Sequence, residues 1–596
     1  MKHLLQFAAL ITIILLAGCN KDEVIYSEVD KPKIYLDSEY GVYTVKVGGT
    51  LTIAPDYENI ENGTVTWTMD GSVVYNGLTW TSTWPERGEY YVAITATNSA
   101  GSTTEEVRVD VVDLTPPVIS MMIPADGLKV AAGEEYLLVP DVQHSDMEGF
   151  AMEWYVDGEH VGDGPSYTFS RETPGTYRVA IVARNIDGES RKEFDIEVLA
   201  TKPYAATFLP VTGISGDNTR YTFAGRAVYL QPVISCFTTP AYRWQVSGGT
   251  AYDAVELDGG SIFAITPVMA GEYTVEVTVT ETGSTPKQLT RNVSRTGLSA
   301  TAHVTVVCVD ATEESRMRPA TAASSAYCTR VFDYLPAPGQ FINQPLLASA
   351  DAAAQWAKSR LDAQTYVSLG AFGGYIVVGF DHSVPAGRVA YDLAIGGNAF
   401  ANGDGNSNEP GVVWVMQDVN GNGLPDDEWY ELKGSDFDAP ATRRAFGVTY
   451  FRPEGSHMAV KWMDADGLIG DIDYLTTHPQ DSYYPAWVTA TSYTLYGTLL
   501  PSRTKYDSAT GFWSTIPAAW GYADNGGSDS FTDNTADGQG QYDAFSFANA
   551  VNIDGSPVAL QYVDFVMVQS GTMAKCGLLG EVSTEVLFFQ DYSMRR

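Results

Sequence analysis

Basic residues are scarce in this chain of 596 residues, which has 36 Lys and Arg against 73 Asp and Glu and a net charge of −37 at pH 7. A surface of this sign repels phosphate backbones, which excludes nucleic acid as a partner. Charged residues make up only 18% of the chain and hydrophobic residues 44%, a balance that excludes wholesale disorder. At about 150 residues per domain, the length predicts about four folded units.

Residues that commonly carry catalysis are few or scattered. The seven His residues show no metal-ligand spacing, and the sequence has neither a Gly-x-Ser-x-Gly motif nor a phosphate-binding loop. A pair such as Glu409 and Asp427 could be nominated for glycoside hydrolysis, but among 73 acids such proximity arises by chance. The sequence therefore leaves catalysis open and favours a binding function.

Cysteine is also rare, and one of the five has a distinctive position. Cys19 follows Leu16-Ala17-Gly18, and the apolar run that begins at Leu4 has the length of a signal-peptide core. These residues resemble the lipobox of bacterial lipoproteins, in which a signal peptide, here 1–18, is removed and the cysteine is acylated. The Lys21-Asp22-Glu23 segment resembles the signal that sends Bacteroidetes lipoproteins to the outer face of the outer membrane.

The remaining cysteines match no zinc site. In an oxidising compartment they allow three disulfide pairings, or they remain free thiols. They are Cys236, Cys308, Cys328 and Cys576.

Two copies of one module fill residues 31–114 and 115–200. Each copy reads as short alternating strands around a central Trp, which predicts an Ig-like β-sandwich with the Trp in its core. The copies resemble PKD domains. Four landmarks recur 87 positions apart: Trp67 and Trp154, Gly88 and Gly175, Asn98 and Asn185, and Gly101 and Gly188.

A third, more divergent copy is predicted for 201–310, because Trp244 and the Gly271-Glu272-Tyr273 strand repeat the same landmarks. An enlarged hairpin around Gly248-Gly249 and Gly259-Gly260 accounts for their wider separation. Three sandwiches in series, behind an acylated tether at 19–30, indicate a spacer between the lipid anchor and the rest of the chain.

The last part of the chain reads as a linker, 311–330, and a large domain, 331–596. One short helix is predicted within 350–361, where Ala, Gln and Lys dominate. In the other segments apolar and polar residues alternate as they do in strands, which favours a jelly-roll-like β-sandwich with long loops. The predicted fold is therefore all-β: tandem Ig/PKD-like sandwiches followed by a larger jelly-roll-like sandwich.

A loop in this last domain is typical of calcium sites. Oxygen-bearing side chains alternate along Asp418-Val419-Asn420-Gly421-Asn422, and Gly423 permits the sharp bend that a cage of ligands needs. Trp429 stands where an EF-hand keeps its bidentate Glu, so this is not an EF-hand. The other interpretation is a pair of turns with solvated acids. The predicted ligands of a structural Ca²⁺ are Asp418, Asn420, Asn422, Asp426, Asp427 and Glu428.

Aromatic rings in polar loops of the same domain predict a ligand-binding surface, because flat rings stack on sugar faces or macrocycles while polar neighbours fix orientation. The alternative is that these rings fill a sandwich core. The predicted ligand-binding residues are Glu409, Trp429, Trp520, Tyr522, Asp524 and Asn525.

Several segments of 331–596, among them VFDYLPAPGQFIN, GGYIVVGFDH, NEPGVVWVMQDVNGNGLPDDEWYELKGS and WGYADN, resemble a family of Bacteroidetes surface lipoproteins with PKD-like repeats. The resemblance implies an outer-membrane lipoprotein that faces the cell exterior. It also implies capture of an extracellular nutrient, such as a glycan or corrinoid, beside a TonB-dependent transporter. A glycan-active hydrolase and a structural adhesin remain the alternatives.

Overall fold

The computed structural model describes residues 29–38, 40–209, 218–282, 298–402, 405–535 and 538–595. The predicted signal peptide and the acylated Cys19 lie outside the described residues. The chain divides into two compact units, Met1–Thr115 and Pro116–Arg596. Strands dominate both units, and the prediction of an all-β fold with tandem Ig-like sandwiches is confirmed. Each helix within the described residues is too short or too polar to cross a bilayer.

The first unit is a β-sandwich packed around buried tryptophans. Trp67 is fully buried, and its indole N–H donates to Gly77 O at 2.8 Å. The large sheet has the strand order Val42–Lys46, Gly101–Val112, Gly88–Asn98, Thr64–Met69 and Ser72–Asn76. Two strand pairs complete the sandwich: Lys33–Tyr35 with Asp56–Glu58, and Thr50–Ile53 with Trp80–Thr83.

The second module repeats this topology at the start of the second unit. Trp154 is fully buried and donates to Gly164 O at 2.9 Å, so the prediction that Trp67 and Trp154 are core residues is confirmed. The large sheet has the order Leu128–Ala131, Gly188–Leu199, Gly175–Asn185, Ala151–Val156 and Glu159–Asp163. The pairs are Val118–Ser120 with Asp141–Gln143, and Tyr136–Leu138 with Tyr167–Phe169.

The third module keeps the main features of the other two. Its second strand pairs in parallel with its last, as in both earlier modules, and Trp244 donates to Gly260 O at 2.7 Å. The acceptor belongs to a 3₁₀ turn, Asp258–Gly260, inside the predicted enlarged hairpin. Its sheets are Arg220–Thr222, Ser299–Cys308, Gly271–Glu281 and Pro240–Gly248; Val228–Leu230, Ile262–Pro267 and Tyr252–Leu257; and Ala205–Thr207 with Val233–Ser235.

The C-terminal domain contains one six-stranded and two four-stranded sheets, with clusters of buried aliphatic and aromatic side chains. Its six-stranded sheet has the order Arg330–Leu335, Tyr375–Pro385, Tyr562–Ser570, Gly411–Met416, Tyr430–Leu432 and Ala550–Val551. One four-stranded sheet comprises Ser530–Thr535, Gly538–Phe545, Leu393–Gly396 and Phe588–Asp591, and the other Ile469–Ile472, Val460–Asp464, Arg443–Phe451 and Ser492–Leu499. Three pairs complete it: Val367–Ser368 with Glu585–Val586, Phe400–Asn402 with Gly405–Ser407, and Thr504–Asp507 with Phe512–Thr515.

Helical segments are few and short. The helix predicted within 350–361 is observed as Ala350–Asp362; the Ser349 side chain caps it by accepting the Ala352 N–H, and Leu361 lies on its buried face. A second helix, Glu313–Arg316, has a capping box. The remaining 3₁₀ turns are Phe547–Asn549, Gly577–Leu579 and Tyr592–Met594.

The segment predicted to be a linker, 311–330, is held against the C-terminal domain. Arg318 donates its backbone N–H to Ser383 Oγ at 2.9 Å and its guanidinium to Asp564 Oδ1 at 2.8 Å. Further along, Cys328 donates its N–H to Phe589 O at 3.0 Å. A composition rich in Ala, Ser and Thr predicted none of these bonds, because the partners come from distant strands.

The second and third modules also contact the C-terminal domain. In the second module, Gln143 Nε2 donates to Ser456 O at 2.9 Å, and Lys192 forms an ion pair with Glu454. From the third module, Arg226 lies 3.0 Å from Glu313, and its Nη1 donates to Gln417 Oε1 at 2.5 Å. The sequence predicted modules in series and did not predict this packing.

The four described cysteines are free thiols. Cys308, Cys328 and Cys576 are buried and Cys236 is exposed. The alternative of unpaired thiols therefore describes this structure, and the modules are held together without disulfides among the described residues.

His382 is a buried charge-bearing group whose two ring nitrogens both meet carboxylates. Nδ1 lies 2.8 Å from Asp381 Oδ1 and Nε2 lies 3.0 Å from Asp591 Oδ2. The hydrogen bonds to Asp591 and Asp381 outweigh burial and raise the pKa of His382 above its usual 6.5. Ser593 donates its N–H and its hydroxyl to Asp591 Oδ1, which fixes that carboxylate.

We expect His382 to make the stability of Pro116–Arg596 depend on pH. Because its folded-state pKa is raised, its stabilisation is complete below the unfolded-state value of about 6.5 and is lost as pH rises through the folded-state pKa. Calorimetry of the full chain should show His382→Gln lowering the melting temperature most at acidic pH, with a smaller difference at alkaline pH. A difference that grows with rising pH would contradict this assignment.

Candidate functional site

Three distant segments of the C-terminal domain meet beside the start of the strand Gly411–Met416. Glu409 donates its N–H to Asp524 O at 2.9 Å, and Gly411 exchanges two backbone hydrogen bonds with Ala523. Thr584 Oγ1 donates to Glu409 O at 2.7 Å, which joins the third segment to the first. These backbone contacts bring the side chains of Glu409, Asp524 and Glu585 close together.

The three carboxylates form a close acidic cluster. Glu409, Asp524 and Glu585 each offer an oxygen, and these oxygens lie within 4.8 Å of one another. Asp524 is held in place because its Oδ1 accepts the Asn398 N–H at 2.8 Å and its Oδ2 accepts the Glu585 N–H at 2.9 Å. The chain can approach this closely because residue 397 is glycine, where a Cβ would lie 2.7 Å from Asp524 Oδ1.

Burial and mutual repulsion both disfavour negative charge in this cluster. Burial, and next the charge of Glu585, raises the pKa of Glu409 well above its usual value. Burial likewise raises the pKa of Asp524, with the charge of Glu585 as the second cause, and it raises the pKa of Glu585. Burial raises the pKa of neighbouring Glu581 to about 8. Three or four carboxyl groups at this spacing are stable together only if some of them are protonated or if a cation neutralises their charge.

The cluster lies at one side of an open cavity of about 550 Å³, here named the Glu409 pocket. Carboxylates and aromatic rings both line it. Phe512, Phe400 and Tyr366 are 62%, 51% and 42% exposed, which is high for large rings. The lining side chains used below are Asn398, Glu409, Glu581, Glu585, Phe512 and Trp513.

Two of the predicted ligand-binding residues, Glu409 and Asp524, belong to this site. Asn525 and Tyr522 do not line this pocket. Asn525 Oδ1 accepts the Ala518 N–H at 2.7 Å, and the Tyr522 hydroxyl accepts the Asp436 N–H at 3.1 Å. In this structure both side chains hydrogen-bond to backbone groups, and their contact with a ligand stays a prediction.

The predicted rings Trp429 and Trp520 lie elsewhere. Trp429 is half-buried at the end of the Asp418 loop, and Trp520 lines a separate cavity of about 180 Å³ with Lys433 and Asp529. Neither residue lines the Glu409 pocket. The aromatic side of that pocket comes from other residues.

The predicted calcium loop adopts the expected bend, and its polar side chains form hydrogen bonds with other groups of the same loop. Gly423 has a φ of 75°, and its N–H donates to Asp418 Oδ2 at 3.0 Å. Asp426 accepts the side-chain amides of both Asn420 and Asn422, at 2.9 and 2.8 Å. Within the part of the chain that the structure describes, no three carboxylates of this loop converge as those of the Glu409 cluster do.

The other two predicted ligands of the loop have different surroundings. Asp427 accepts the Val419 N–H at 3.0 Å, and burial, followed by the charge of Asp418, raises its pKa to about 9. Glu428 Oε2 lies 3.3 Å from Arg220 Nε of the third module, which gives it a cationic partner in this structure. Its role as a metal ligand stays a prediction.

Comparison with known proteins adds information on the modules. Residues 31–98 and 116–185 match the PKD-like domain family. Curated protein sequences show no match to the chain. Among solved structures, an I-band fragment of titin is 14% identical, covers 47% of this chain and 98% of its own, and has a TM-score of 0.19.

Two further structures show similar likeness. Three N-terminal domains of the outer capsid protein Hoc of bacteriophage RB49 are 13% identical, with 47% of this chain and 100% of that one covered and a TM-score of 0.22. The fibronectin(III)-like modules of CbhA from Clostridium thermocellum are 17% identical, with 28% and 94% covered and a TM-score of 0.17. The PKD-like match identifies the first two modules and says nothing of the Glu409 pocket, which lies in the C-terminal domain.

Sequence reasoning missed Glu585, Glu581 and Asn398. One signal was available: Glu585 is an acid in the otherwise apolar and hydroxyl-bearing run Val582-Ser583-Thr584-Glu585-Val586, where a buried strand has no reason to hold a charge. Asn398 carried no comparable signal, because amides are common in loops.

Proposed function

We propose that this protein captures an extracellular ligand with sugar-like chemistry in the Glu409 pocket. The observation that carries the proposal is the pairing of exposed rings with carboxylates in one cavity of about 550 Å³. Rings such as Phe512 stack on the apolar faces of a sugar, and carboxylates such as Glu409 accept hydrogen bonds from its hydroxyls. The volume lies within the range of roughly 300–1,000 Å³ typical of small-molecule sites.

Capture is favoured over hydrolysis by the spacing of the acids. Retaining glycosidases separate their two carboxyl groups by about 5–5.5 Å and inverting ones by about 6.5–9.5 Å. Here one oxygen from each of Glu409, Asp524 and Glu585 lies within 4.8 Å of the other two, so three acids share one point instead of two acids facing each other across a bond. Three carboxylates this close together are better placed to bind one ligand jointly than to act as an acid and a base on opposite sides of a scissile bond.

The proposal includes the cellular address that the sequence predicts. The chain is anchored by acylated Cys19 to the outer face of the outer membrane, and it delivers its ligand, a glycan or a corrinoid, to a TonB-dependent transporter. The PKD-like modules carry the C-terminal domain, and a structural Ca²⁺ in the Asp418 loop stiffens the strand that follows Glu409. Support comes from the lipobox resemblance and from the position of the loop directly after Gly411–Met416.

Phe512→Ala should weaken ligand binding by about two- to tenfold, since an aromatic contact of this kind contributes roughly 0.5–1.5 kcal/mol beyond its burial. The measurement is a glycan array with the full chain, followed by calorimetric titration of the best glycan. Because Phe512 is 62% exposed, its removal leaves the core intact. Release of reducing ends from a bound glycan would instead identify a hydrolase.

The matched control is Tyr91→Ala, which removes a ring that is 51% exposed on the first module. Its glycan affinity should equal that of the wild-type chain. Equal affinity of Phe512→Ala and wild type, or no glycan binding by the wild type, would remove the proposed function.

A further inference from the structure

The acidic cluster of the Glu409 pocket contains oxygens that have no partner. Glu585 is 3% exposed, yet its Oε1 accepts no hydrogen bond, and Glu581, at 5% exposed, has the same deficit at Oε2. A buried carboxylate oxygen without a donor is destabilising, because its lost hydration is not replaced. Where several such oxygens lie together at a pocket, a cation can replace that hydration for all of them.

Glu581 supplies a second observation that points to a ligand. It lines the Glu409 pocket with Glu409 and Glu585, and it is not one of the three clustered acids. Its Oε1 accepts the Gln340 N–H at 2.8 Å, and its Oε2 has no donor. The Asn398 side-chain amide donates to Asp524 Oδ1 at 3.0 Å and to Glu585 Oε2 at 3.3 Å, which leaves Glu585 Oε1 without a donor.

Any positive charge that compensates these carboxylates must come from outside the residues that line the pocket. The described residues that line the pocket include no Lys, Arg or His. The cluster is nevertheless held rigidly, because two backbone N–H groups fix Asp524 and the Thr584 hydroxyl fixes the backbone of Glu409. A preorganised, oxygen-only, uncompensated cluster is the arrangement that hard divalent cations prefer.

We propose that Glu409, Asp524 and Glu585 bind one divalent cation of the Ca²⁺ class in the Glu409 pocket. This site is separate from the Asp418 loop. Glu409 is half-buried at the pocket surface, so the ion keeps an open side on which a ligand hydroxyl or carboxylate completes its coordination. The inference deepens the proposed function, on which its role in ligand capture rests.

The test is calorimetric titration of Ca²⁺, Mg²⁺ and Mn²⁺ into the full chain after chelation, with no glycan present. Glu585→Gln should lose one binding event that the wild type shows, or bind at least tenfold more weakly. Glu409→Gln is the second variant and should behave alike. Unchanged stoichiometry and affinity in both variants would overturn the inference.

Two controls make the result specific. Glu431→Gln alters another buried acid whose Oε1 also lacks a partner but which belongs to no carboxylate cluster, so its cation binding should match wild type. Asp418→Asn removes the loop ligand and should leave the Glu585-dependent event in place. Loss of that event in Asp418→Asn would assign the cation to the loop and refute the separate site.

Thermal melting checks that the variants are folded. In chelator, Glu585→Gln should melt no lower than wild type, because it removes one of three close like charges; added Ca²⁺ should raise the melting temperature of wild type and Glu431→Gln but not of Glu585→Gln. Cation binding without glycan capture would retain this inference and remove the proposed function. Glycan capture that is insensitive to chelator would retain the proposed function and remove this inference.

Discussion

Arg226→Ala is expected to lower the free energy of unfolding of the Pro116–Arg596 unit by about 3–5 kcal/mol, the usual cost of breaking a buried ion pair from one side. Arg226 and Glu313 are 13% and 15% exposed and lie 3.0 Å apart. Glu313 Oε1 also accepts Gln417 Nε2 and the Gln561 N–H, both at 2.7 Å. Removing the guanidinium leaves this carboxylate without its charge partner at the contact between the third module and the C-terminal domain.

Calorimetry of the full chain measures this effect. The matched control is Arg191→Ala, whose ion pair with Glu193 is 45% and 42% exposed and should contribute less than about 1 kcal/mol. Arg226→Ala/Glu313→Gln should recover part of the lost stability, because the unpaired charge is removed as well. Equal stability of Arg226→Ala and Arg191→Ala would show that the third module is not docked through this network.

Trp67→Ala and Trp154→Ala should each lower the free energy of unfolding by about 3–5 kcal/mol, but each in a different unit of the chain. Both side chains are fully buried, and both indoles donate to a glycine carbonyl, at 2.8 and 2.9 Å. Trp67 lies in Met1–Thr115, whereas Trp154 lies in the unit that also contains the C-terminal domain. We therefore expect the first substitution to leave the Glu409 pocket stable and the second to destabilise the larger unit.

Hydrogen exchange resolved along the chain distinguishes the two outcomes. In Trp67→Ala, faster exchange should be confined to residues before Pro116. Trp154→Ala should also accelerate exchange where the second module meets the C-terminal domain, at Ser456 and its neighbours. Confinement of the Trp154→Ala effect to the second module alone would mean that this module folds independently of the domain it contacts.

Local patterns accounted for much of the fold. The 87-residue offset between Trp67 and Trp154 revealed two equal modules, and each Trp occupies the same buried position in its sandwich. The helix at Ala350–Asp362 was readable from its composition, and its Ser349 cap is a local feature. These predictions succeeded because strand alternation, helix capping and repeats depend on residues that are near one another in the chain.

The candidate site was only partly predictable. Glu409 and Asp524 were nominated because they lie in polar loops, yet the same reasoning nominated Tyr522 and Asn525, which hydrogen-bond to backbone groups. In a loop of alternating polar and aromatic residues, the direction of each side chain depends on what the loop packs against. Composition therefore identified the region of the cluster and only some of its members.

By itself, the sequence determined an acidic, all-β chain that begins its described part with PKD-like modules, since charge balance and periodicity are properties of the residues in order. Tertiary structure alone decided that Glu585 joins Glu409 and Asp524, that Glu428 pairs with Arg220, and that later modules dock on the last domain. The reason is physical: a contact between distant segments is set by strand order and packing, and a sequence with 73 acids offers far more possible acidic clusters than the fold brings together.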